Sequence, residues 1–96
     1  MSTAAAPSAG MSQTALHRYA QLEAPAALAE LEQAGLVQAE TVRQLVESAL
    51  TVVESAFDTA EHWLALATAL NERLGNQPAL QGQINYARAR LYVQQG

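Results

Sequence analysis

The stretch at residues 42–74, VRQLVESALTVVESAFDTAEHWLALATALNERL, decides the fold. Ten apolar residues recur in it at alternating steps of four and three: Val42, Val46, Ala49, Val53, Ala56, Ala60, Trp63, Ala67, Leu70 and Leu74. At 3.6 residues per turn this spacing sets all ten on one face of an α-helix. No period-two alternation marks a strand anywhere in the chain. The expected fold is therefore all-α: a long central helix with flanking antiparallel helices, forming a helical hairpin or small bundle.

Read as heptads, Val46, Val53, Ala60, Ala67 and Leu74 take position a, and Val42, Ala49, Ala56, Trp63 and Leu70 take position d. Leu50, Phe57 and Leu64 fall at e, and Leu45, Val52, Thr59 and Leu66 at g. A helix with one neighbour needs only a and d, so this wider arc calls for cover from two sides. If unbroken, the helix runs roughly 37 residues, or about 55 Å. The Asp58-Thr59-Ala60-Glu61 segment has the form of a capping box and marks one point for a kink or split. The continuous register across Asp58 favours a single helix.

Working outward, Ser12 caps a short helix through about residue 22, with Leu16, Tyr19 and Leu22 on one side. Pro25 suits the start of the next helix, which carries Leu28 and Leu31 inward and ends at Gly35. Leu36 then folds back onto Leu31. Gly75 stops the central helix, and Pro78 opens a last helix bearing Leu80, Ile84, Ala87 and Leu91. The short connection turns that helix back along its predecessor. Residues 1–11 hold Ala, Ser, Pro, Gly and Met without periodicity and read as a disordered lead; residues 12–96 read as a single helical domain.

Half of the 96 residues are apolar, yet alanine dominates and there is one Trp and one Phe, so a lone core is thin. The net charge is −4, with no lysine and five scattered arginines. That balance disfavours nucleic acid and anionic membrane as partners. The absence of cysteine removes disulfides and thiolate chemistry. No stretch has the length of a membrane span, and the first residues lack the pattern of a signal peptide. The expectation is a cytoplasmic protein without membrane insertion.

Catalytic and metal motifs are scarce. Glu54, Asp58 and His62 share a helical face at steps of four, but a solvated charge column accounts for them better than a metal site. No Gly-rich phosphate loop, serine elbow or zinc spacing occurs. Residues 33–45 have a helix-turn-helix outline, which offers DNA only Arg43 and Gln44. Neither enzymatic activity nor a cofactor nor a metal is expected.

From Trp63 onward the chain resembles one tetratricopeptide-type helical hairpin. Trp63, Leu66, Ala67 and Leu70 match its first helix, and Gly82, Tyr86 and Ala89 the small–aromatic–small positions of its second. The match needs about three extra residues at the connection, and no second copy follows, although solenoids use three or more. In size, charge and hairpin layout the chain also resembles the small acidic helical chaperones and subunits of bacterial secretion machines. That likeness implies the task of holding an aggregation-prone helix of another subunit.

These readings converge on a non-enzymatic interaction module, adaptor or chaperone-like, that binds a partner helix or its own copy. The expected contact residues are Leu45, Leu50, Val53, Phe57, Trp63, Leu64, Tyr86 and Tyr92, with about 500–800 Å² buried per side. Tyr86, Arg88, Arg90 and Tyr92 serve either as anchors or as a solvated face. In the intrachain alternative, Leu16, Tyr19 and Leu22 cover the flank at Leu50, Phe57 and Leu64. An accessory subunit of an enzyme or multiprotein complex is the second reading, and a small DNA-binding regulator the third.

Overall fold

Five helices build the protein in a computed structural model that describes residues 12–95. They are α1 (Gln13–Ala20), α2 (Ala24–Gln33), α3 (Ala39–Thr51), α4 (Phe57–Arg73) and α5 (Pro78–Gln95). The expected lead at residues 1–11 lies outside the described residues. The all-α small bundle is as the sequence predicts, and among the described residues there is no strand.

The terminal signals act as written in the sequence. Ser12 Oγ accepts the Ala15 N–H at 3.1 Å and caps α1. Gly35, at φ +74°, ends α2 with the Leu36 N–H on the Leu31 carbonyl at 2.9 Å and its own N–H on Glu32. Gly75, at φ +94°, ends α4 in the same way, with Asn76 on Asn71 at 2.8 Å and Gly75 on Glu72. Both are Schellman endings, whose positive φ a side chain would resist.

The long central helix is not continuous. It stops at Thr51 and resumes at Phe57, and the two arms pack against each other as α3 and α4. Three consecutive β-branched residues, Thr51, Val52 and Val53, weaken the helix at this point. The Thr51 hydroxyl also donates to the Ser48 carbonyl at 2.7 Å, the acceptor that the Val52 N–H would use in a continuing helix. Val52 instead bonds Ala49 at 3.1 Å, and the Ala56 N–H closes the turn on Val52 at 2.8 Å. Asp58 is not a cap. The N-cap is Ala56, without a side-chain bond, and Asp58 lies in the first turn of α4, where its charge suits the helix dipole.

Helix α4 is the hub, with α1, α2, α3 and α5 all packed against it, and α5 also rests on α3. This explains the breadth of its apolar arc. Ala60 and Ala67 are fully buried and let neighbours approach closely, while Trp63, Leu64, Leu66 and Leu70 fill the space around them. Asn71 is fully buried too. Its Oδ1 accepts the Gln77 N–H at 3.0 Å, and its Nδ2 donates to the Gln77 carbonyl at 3.2 Å and to Gln81 Oε1 at 3.3 Å. These bonds fix the turn that aims α5.

Candidate interaction surface

Of the eight residues expected to meet a partner, Leu45, Val53, Trp63 and Leu64 lie in the core. The intrachain cover is real where α1 lies on α4: Leu16 and Tyr19 are buried, and the Trp63 indole N–H donates to the Leu16 carbonyl at 2.8 Å. These four side chains are satisfied within the chain. Leu50 and Phe57 are half-buried against the core. Phe57 borders a notch of about 150 Å³ with Val53, Glu54 and Gln94, at the meeting of the α3–α4 turn and the end of α5.

Tyr86 and Tyr92 are exposed, at 55% and 52%, and Val93 beside them at 74%. All three belong to α5, which carries two apolar rows. The inner row, Leu80, Ile84, Ala87 and Leu91, steps by four, three and four and is buried. The outer row, Gly82, Tyr86, Ala89 and Val93, repeats those steps and faces solvent. An offset of two residues, about 200° around the helix, places the rows on opposite sides. A helix apolar on both sides usually has neighbours on both. The second row is detectable in the sequence from its spacing alone, but the inner row satisfies the hairpin and draws attention away from it.

The tetratricopeptide likeness changes accordingly. Trp63, Leu66, Ala67 and Leu70 are buried as that motif implies. Gly82, Tyr86 and Ala89 do not turn toward α4; they form the outer row.

Two arginines lie on the flanks of α5. Arg90 Nη1 donates to the Tyr86 hydroxyl at 3.1 Å, and Arg88 Nη2 to the Thr68 hydroxyl of α4 at 3.2 Å. At 3.6 residues per turn Arg90 lies about 70° from the centre of the outer row and borders it, whereas Arg88 lies about 130° from that centre, on the side of the helix that meets α4. The other arginines are spent on ion pairs: Arg18 with Glu30 at 2.8 Å, Arg43 with Glu40 at 3.3 Å, and Arg73 with Glu32.

His62 is exposed, and its Nδ1–H donates to the Asp58 backbone carbonyl at 2.8 Å. Glu54 lies in the turn before α4, so the column of three groups at helical spacing does not form. Among the described residues, no three His, Asp or Glu side chains could hold one metal ion. A cleft of about 340 Å³ between α1 and α3 is lined by Trp63, His17, Gln44 and Glu47, with the His17 and Trp63 rings edge-to-face at 6.3 Å. Among the described residues, no helix is long and apolar enough to cross a membrane. Set against known protein families, curated proteins and solved structures, the chain matches none.

Proposed function

We propose that the protein is a non-enzymatic helical interaction module, an adaptor or chaperone-like subunit, and that the outer face of α5 is its docking surface. The observation that carries this reading is the exposed row of Gly82, Tyr86, Ala89 and Val93, set at the same spacing as the row that holds α5 to the bundle. Tyrosine and arginine together are the side chains most often found at the energetic centre of an interface. Gly82 and Ala89 allow close approach of a backbone, while Tyr86 and Val93 supply buried area. Phe57, half-buried at the notch it shares with Gln94 at the end of α5, offers a partner a further apolar contact. A role as structural subunit of a larger complex uses the same face and is distinguished by the size of the partner.

The test compares the tagged chain with its Gly82→Gln variant, each purified gently from its native source and sized by light scattering. Nothing lies within 4 Å of a Cβ at Gly82, so the variant blocks the face without disturbing the bundle. A heavier species should form with the unaltered chain and vanish with the variant. A bare monomer from the unaltered chain, or a heavier species that survives the variant, overturns the reading.

A further inference from the structure

We infer that the occupant of the outer face of α5 is an amphipathic helix of a partner protein whose apolar row is flanked by aspartate or glutamate. The inference rests on the reading of α5 as the docking face and adds the chemistry of what docks. Charge selects it. Residues 78–95 hold Arg88 and Arg90 and no carboxylate, whereas the rest of the chain holds three arginines and all nine carboxylates. On an acidic protein, the helix with the largest positive balance is the one with an uncovered apolar row; α1, with Arg18 and no carboxylate, carries one positive charge fewer.

The state of the arginines points the same way. Arg18, Arg43 and Arg73 are paired, whereas among the described residues Arg88 and Arg90 meet no carboxylate. Each rests on a hydroxyl that uses one of its five donors, which braces the guanidinium and leaves the remainder for an oxygen acceptor. Arg90, beside the row, would meet carboxylates on that flank of a docked helix, as charges do beside a coiled-coil seam, and Arg88, nearer α4, adds to the positive field of the helix. A second copy, laid α5 on α5 about a two-fold axis, would instead bring two arginine-bearing faces together with no carboxylate between them. One helix along about 27 Å of α5 makes a small interface, so binding is modest and sensitive to salt.

The test uses the full chain and two labelled helical peptides of about 20 residues with one shared apolar row, flanked by Glu in one and by Lys in the other. Fluorescence anisotropy at low salt should favour the Glu peptide by about 10-fold, an advantage that shrinks toward about 0.5 M salt. Replacing Arg90→Gln should narrow the preference by about 2- to 5-fold, as expected of one exposed ion pair, while Arg88, which braces α5 on Thr68 of α4, is left in place. Gly82→Gln should weaken both peptides alike. Equal affinities, or a preference for Lys, that remain sensitive to Gly82→Gln overturn the acidic partner and keep the docking face. Binding of neither peptide, or binding indifferent to Gly82→Gln, overturns the docking face as well. A chain that sizes as a dimer, and returns to monomer with Gly82→Gln, names a second copy as the occupant and overturns the inference.

Discussion

The Trp63 indole of α4 donates to the Leu16 carbonyl of α1 at 2.8 Å, joining residues 47 apart in the chain. The bond explains why the widest part of the apolar arc is closed. It gives the one polar atom of the largest core side chain a buried partner and anchors a helix of only eight residues. Trp63→Phe should lose the bond and leave unfilled volume, destabilising the fold by about 1–3 kcal/mol. Each kcal/mol lowers the midpoint of thermal unfolding by roughly 4–8 °C in a domain of this size. Circular dichroism melting checks it, and an unchanged midpoint would show that α1 adds nothing to stability.

Thr41 presents the opposite case. It is fully buried in α3, and its Oγ1 has no hydrogen-bond partner. An orphaned buried hydroxyl costs free energy that an apolar group of the same shape does not. Thr41→Val should raise stability by about 1 kcal/mol, read from urea unfolding with the slope of the transition unchanged. A loss of stability would mean the hydroxyl is satisfied.

Asn71 ties α4 to the start of α5 through three hydrogen bonds. Asn71→Ala should cost about 1–3 kcal/mol, because it strands the Gln77 N–H beside a buried site. It should also raise amide exchange around residues 76–81 more than in α2. Uniform exchange across the chain would argue that the turn is held by Gly75 and Asn76 alone.

Gly82 is exposed on α5, with open space where a Cβ would stand. Gly82→Ala should therefore stabilise the helix by about 1 kcal/mol. Position 82 would then hold the least stabilising of the residues that fit it, as expected where a partner's backbone must come close. A destabilised Gly82→Ala would show that this glycine serves the fold of the free protein.

Much of the fold is legible in the sequence because it is written in local chemistry. Ser12, Gly35 and Gly75 end their helices where their side chains or backbone freedom demand. The break after Thr51 is not legible from periodicity. The four-three row persists through the turn because both arms of the α3–α4 hairpin bury the same kind of face; the Asp58–Glu61 segment hints at a split, and the β-branched run with the Thr51 hydroxyl on Ser48 supplies its cause. The site divides along the same line. The width of an apolar arc tells how many neighbours a helix needs, and not whether they belong to its own chain, so Leu45, Val53, Trp63 and Leu64 read as partner contacts although their own chain buries all four. Tyr86 and Tyr92 are legible as exposed aromatics, while Val93 and the outer row, present in the spacing, stand out as unpartnered once the inner row is known to be filled.

The most direct measurement places a photo-crosslinking residue at Tyr86, with Gln33 as an exposed control on α2, and illuminates the chain in its native source. The account predicts one discrete adduct from position 86, none from position 33, and loss of the adduct when Gly82→Gln is added. No adduct at position 86, or the same adducts at both positions, would contradict it.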